Sequence, residues 1–128
     1  MAEGLFATAI NCMDGRTQRP VMDWLTDQFK VDHVDAITDP GVDKILTAGT
    51  PQQIESIKNR VLISVNGHGS GHIAIVGHHD CAGNPVSEEE HRRMTKEAVE
   101  VVAGWDLPVR IFGLWIGEDW TVEVIHER

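Results

Sequence analysis

No apolar run in this chain approaches the roughly 20 residues that a membrane-spanning helix needs, so no membrane partner is expected. The opening Met1-Ala2-Glu3-Gly4 carries no basic region and leads straight into a short apolar stretch, unlike a secretory signal. A cytoplasmic location is therefore expected. Basic runs of the kind that track phosphates are also missing, and the formal net charge is −9, so no nucleic-acid partner is expected. An acidic surface favours solubility and does not oppose a small neutral substrate. Internal repeats, low-complexity segments and linkers are absent, and 128 residues suit one domain over residues 1–128. Apolar residues make up 41%, too many for a disordered chain. Cysteine is scarce. Cys12 and Cys81 lie far apart and form no Cys-x-x-Cys motif. In a reducing compartment such a pair is more often metal-binding or catalytic than a disulfide. Two buried, inert thiols are the plainer alternative.

The apolar pattern alternates between two periods. Residues 5–11 (LFATAIN) suit a strand buried on both faces. A polar turn follows from Cys12 to Arg19, and Pro20 suits the first position of a helix with Val21, Trp24, Leu25 and Phe29 on its apolar face. Residues 31–38 read as a second strand with Val34, Ala36 and Ile37 as core candidates, ended by the Asp39-Pro40-Gly41 turn. Thr50-Pro51-Gln52-Gln53 signals a helix start, Ile54, Ile57, Val61 and Val65 its buried stripe, and Asn66-Gly67 its end. Residues 72–77 (HIAIVG) form a third strand. Ser87-Glu88-Glu89-Glu90 reads as a capping box before a helix facing inward through Met94, Ala98, Val101 and Val102. A fourth strand lies within 108–116. Residues 120–125 alternate, with Trp120, Val122 and Val124 on one face, as an antiparallel edge strand would. The expected fold is an α/β three-layer sandwich around a mostly parallel sheet of four strands plus an edge strand.

In an open parallel sheet, ligands bind beyond the carboxyl ends of the strands where strand order reverses. Cys12 follows the first strand. His78, His79, Asp80 and Cys81 follow the third. Two thiols and an imidazole converging there match the donors zinc prefers, and three protein ligands leave one tetrahedral position open for chemistry. Two thiolates cancel the charge of the ion, so acidification of a bound water should be weaker than at an all-histidine site. A neighbouring carboxylate could then accept a hydrogen bond from that water. Asp14 stands close enough, and Arg16 could orient it and keep it ionised. A surface ion pair in a turn is the plainer reading of those two residues.

Cys12-Met13-Asp14-Gly15-Arg16 resembles the C-x-D-x-R motif of β-class carbonic anhydrases, and His78-His79-Asp80-Cys81 resembles their H-x-x-C motif. Ala82-Gly83 resembles the small-residue turn that follows. The resemblance implies zinc held by Cys12, His78 and Cys81. Asp14 would either take the fourth position in a resting form or pair with Arg16 in an active one. The implied reaction is reversible hydration of carbon dioxide to bicarbonate, with attack by zinc-bound hydroxide. The implied assembly is a homodimer or a higher homo-oligomer with its site near the subunit interface. Family members commonly carry an N-terminal helical arm that supplies a substrate-touching glutamine. Here the first strand begins almost at Met1, and the sequence assigns that role to no residue. A carbon disulfide or carbonyl sulfide hydrolase on the same ligands is the alternative, and a non-catalytic zinc or thiol-regulatory protein is the reading of a different class. A thiol phosphatase is disfavoured, because three residues, not five, separate Cys12 from Arg16. No glycine fingerprint follows the first strand, which argues against a dinucleotide enzyme.

The remaining candidates read as structural. His79 suits a polar position at the rim, with a proton shuttle as the alternative. Asp80 could orient a ligand or cap the turn. Gly67-His68-Gly69-Ser70-Gly71-His72 follows a helix and precedes a strand, the reverse of a phosphate loop, and no metal shared by His68 and His72 is expected. Trp24, Trp105, Trp115 and Trp120 read as core or interface residues. His33, His91 and His126 carry no signal.

Overall fold

The structure, a computed structural model, describes residues 2–128. Five strands form one sheet: β1 (Phe6–Cys12), β2 (His33–Asp39), β3 (His72–His78), β4 (Arg110–Ile116) and β5 (Val122–Glu127). Their order is β2-β1-β3-β4-β5, with β1 to β4 parallel and β5 antiparallel to β4. The expected architecture is therefore observed.

The three strands β1, β3 and β4 are apolar on both faces because helices cover both. On one face, Ala7, Ala9, Ala74, Val76, Leu114 and Ile116 pack against α1 (Gln18–Phe29) through Val21 and Leu25. On the other, Ile10, Ile73, Ile75 and Ile111 meet α2 (Val42–Ala48), α3 (Pro51–Leu62) and α4 (Glu88–Ala103). The chain leaves β1 towards β2 on one side, and β3 lies on the other. The crevice between the ends of β1 and β3 is thus the switch point.

Local details depart from the sequence reading. Helix α2 is new. It has only seven residues and starts from Gly41 at φ 60°, a left-handed conformation that glycine adopts without steric cost. Helix α1 begins at Gln18, so Pro20 occupies its first turn, where no intrahelical N–H partner is needed. Thr50 and Gln53 do form a reciprocal capping box. Ser87 accepts from Glu90 N, but the Glu90 carboxylate turns to Arg93 instead of closing a box. Asn66-Gly67 does not end α3; a π-helical turn over Ile63–Gly67 carries the chain on. Ala36 is exposed because β2 is an edge strand. Ile54 and Val101 are only half-buried, and Val124 is exposed, where a register shift at Gly113/Leu114 breaks the β4–β5 pairing. Among the described residues no helix is long and apolar enough to cross a membrane.

Candidate metal centre

Cys12 is the last residue of β1 and His78 the last of β3, so the sheet itself delivers both to the switch point. Cys81 arrives on the loop after β3, which turns at Asp80 with φ 56°, a conformation that aspartate tolerates better than most residues. All three side chains are buried, and their ligand atoms lie within 4.8 Å of one another. The two sulfurs are 3.9 Å apart.

The chemistry of the donors fits a metal ion. His78 Nδ1 lies 2.7 Å from the His79 carbonyl oxygen. A carbonyl only accepts, so Nδ1 carries the proton and Nε2 carries the lone pair. That Nε2 is buried and, among the described residues, meets no partner in hydrogen-bond geometry, with the Cys12 thiol beside it. A buried imidazole lone pair beside two thiols could hold a metal ion, and a backbone carbonyl that fixes the tautomer commonly supports a metal-bound histidine. Burial lowers the His78 pKa, but Cys12 and the His79 carbonyl outweigh it and raise the value above the ordinary one. The Cys81 thiol stabilises the Cys12 thiolate, with further help from His78 and the backbone of Gly41 and Asp14, so Cys12 titrates far below an ordinary thiol against the cost of burial. The same contact, with burial, pushes Cys81 up, opposed by the backbone of Asn84 and Gly83.

Two glycines let the loop after β2 close against the loop that carries Cys81. A Cβ on Gly83 would lie 2.5 Å from Gly41 N, and one on Gly41 would lie 2.6 Å from Gly83 C. The loop after β2 and the loop after β3 therefore touch backbone to backbone, one beside each cysteine.

Asp14 and Arg16 meet as a fork. Arg16 Nε donates to Asp14 Oδ1 at 3.1 Å and Nη2 donates to Oδ2 at 2.7 Å. Arg16 N also donates to Oδ1 at 2.9 Å. The Arg16 side chain is the main reason the Asp14 carboxyl is held at about 2. Asp14 and Arg16 are thus paired in this structure. Arg16 also reaches across to the other loop, donating from Nη1 to Asp80 Oδ2 at 3.2 Å and from Nη2 to the Asp80 carbonyl at 3.1 Å. Asp80 thus joins the arginine instead of orienting a ligand. Gln18 Nε2 secures the first loop by donating to the Cys12 and Asp14 carbonyls.

A cavity of about 320 Å³ opens beside His78 and Cys81, lined also by His79, Val86, His91 and Trp115. The half-buried His79 stands at its rim. Behind it, His91 Nε2 lies 2.7 Å from Asp43 Oδ2 in a buried pair that the sequence reading missed. The spacing of His91, Met94, Ala98 and Val102 along α4 marks His91 as inward-facing, which is the signal that was available. His68 and His72 go to different partners: His68 to Asp35, His72 onto the Phe29 ring.

Residues 2–126 match the family described as "Putative carbonic anhydrase". Among solved structures, the chain is similar to a tetrameric β-carbonic anhydrase from the filamentous ascomycete Sordaria macrospora, with 11% identity and a TM-score of 0.65. That match covers 99% of this chain and 84% of the other. No curated protein matches at a significant level. The chain belongs to this carbonic anhydrase family and has the fold of a β-carbonic anhydrase, with a cluster of Cys12, His78 and Cys81 able to hold a metal ion.

Proposed function

We propose that the protein hydrates carbon dioxide reversibly to bicarbonate at a zinc site made by Cys12, His78 and Cys81. The observation that carries this reading is the buried His78 Nε2 with two cysteine sulfurs, all three ligand atoms within 4.8 Å. Zinc there would supply Lewis acidity, bringing the pKa of a coordinated water towards neutrality.

The chain's own residues do the rest. Asp14 stays ionised at any physiological pH because Arg16 grips both its oxygens, so it accepts a hydrogen bond and donates none. Arg16 fixes the direction of that acceptor, and orientation of this kind is a large part of catalysis. His79, which lines the cavity, would be the residue to pass a proton outward to buffer. We also infer a homo-oligomer. The similar solved structure is titled tetrameric, and Met13, exposed beside Cys12, would lie near an interface at the site. Two free thiols suit a reducing compartment such as the cytoplasm.

Stopped-flow carbon dioxide hydration, run on wild type and Asp14→Ala at matched zinc content, tests the reading. Wild type should turn over. The variant should keep its zinc and lose about 10²-fold or more of the rate. Equal turnover in both would remove Asp14 from the mechanism, and no turnover in either would remove the reaction.

A further inference from the structure

Arg16 is the bridge between the two ligand loops, yet its side chain is 47% exposed. A long, half-exposed arginine keeps rotamer freedom that its pairs with the half-buried Asp14 and the exposed Asp80 remove only in part. Something else must keep its plane fixed if it is to hold Asp14 in one direction. The β4–β5 turn provides it. The Arg16 Cζ lies 4.6 Å from the centroid of the Trp120 ring, so the guanidinium rests on the indole face.

The backbone at Trp120 is unusual. Its φ is 62°, a region that bulky side chains rarely occupy. The turn enforces it: Trp120 N–H donates to the Gly117 carbonyl at 2.9 Å. Asp119 Oδ1 accepts from Thr121 N at 3.1 Å and from Thr121 Oγ1 at 2.8 Å. Antiparallel return of β5 along β4 brings this turn back to the end of β3. The same ring stands edge-on to His79, with centroids 6.3 Å apart, and 6.4 Å from the His78 ring. Its remaining surface packs on the apolar cluster around α1. A strained aromatic residue that contacts the arginine and both imidazoles has more to do than fill space.

We propose that Trp120 is a positioning residue, whose indole face holds the Arg16 guanidinium in the plane from which it grips Asp14 and Asp80 together. Its kinetic consequence rests on the carbonic anhydrase reading above; its geometry does not. Removing the face leaves the ion pairs intact in principle but lets Arg16 swing. Asp14 then loses its fixed direction while the metal ligands keep theirs.

The test compares Trp120→Leu with Trp120→Phe, each alone and combined with Arg16→Ala. At matched zinc content, Trp120→Leu lowers kcat about fivefold to tenfold with KM for carbon dioxide little changed, and Trp120→Phe restores most of the loss. In the Arg16→Ala background the leucine substitution costs nothing further, because its effect runs through Arg16. Independently of activity, the Arg16 Nε–H resonance in wild-type protein is displaced upfield by the indole ring. It returns to an ordinary position in Trp120→Leu and not in Trp120→Phe. Equal losses with and without Arg16, or unchanged kcat in the leucine variant, overturn the proposal. So does a wild-type Arg16 resonance without ring-current displacement, which decides the matter even if the leucine variant does not fold. If wild type fails to hydrate carbon dioxide, the proposed function falls, and the resonance comparison still decides the Trp120 contact.

Discussion

Replacing Gly83 by alanine perturbs the candidate metal centre through backbone alone. The added Cβ would sit 2.5 Å from Gly41 N and 2.5 Å from Pro40 C. Both are main-chain atoms, so no side chain can swing aside. Ordinary contact starts near 3.4 Å, and the two loops must therefore part by about 1 Å. Overpacking of this kind costs about 1–3 kcal/mol, a fall in Tm of roughly 4–12 °C for a chain of this size. The loss extends to the metal, because Gly83 lies just beyond Cys81 and the Gly41 backbone helps to hold the Cys12 thiolate. Displacing such outer supports weakens metal binding about 10–100-fold. Thermal unfolding by circular dichroism and zinc competition against a chelator read the two effects. Gly15→Ala is the control: in the neighbouring loop, its Cβ would meet nothing within 4 Å, and it should be neutral or stabilise by about 0.4–1 kcal/mol. If Gly83→Ala matches Gly15→Ala in both Tm and zinc affinity, the loop contact does not support the site.

Other consequences follow from the same geometry. Cys12→Ser and Cys81→Ser should each lose stoichiometric zinc by elemental analysis and unfold at lower temperature, since metal binding couples to folding; full zinc content in either removes that ligand. Asp43→Ala strands His91 in a buried site and should cost about 3 kcal/mol in urea unfolding, whereas a loss under about 1 kcal/mol would mean the pair is not coupled. Burial, with Arg110 nearby, depresses the pKa of His72 below 6.5, so the folded state favours the neutral ring. Its contribution to stability is complete above pH 6.5 and is lost as pH falls through the depressed folded value. His72→Phe, which keeps the stack on Phe29 and Phe112, should therefore flatten the stability profile just below pH 6.5; parallel profiles would contradict this.

The parts of the fold legible in the sequence were those set by local pattern. The apolar runs of β1 and β3 name central strands because both faces are covered, and residues that end such strands must meet at the switch point. That is why Cys12 and the segment His78–Cys81 could be placed together from the sequence, while the choice of His78 over His79 came from the family motif. The Thr50–Gln53 box was equally local. What escaped was non-local or too short to show a period. Helix α2 has fewer than two full apolar repeats and begins at a left-handed glycine. The Asp43–His91 pair joins α2 to α4 across the core, and Trp120 meets Arg16 only because β5 folds back along β4. Val124 reads as buried by alternation, but β5 is the edge of the sheet and leaves it exposed.

The central claim is that this chain hydrates carbon dioxide with zinc held by Cys12, His78 and Cys81. The most direct measurement is the stopped-flow hydration rate on one sample as isolated, after chelator stripping, and after zinc is returned in steps. The account predicts a rate that vanishes on stripping and rises in proportion to zinc until each chain holds about one ion. Fully zinc-loaded protein that hydrates carbon dioxide no faster than buffer would contradict it.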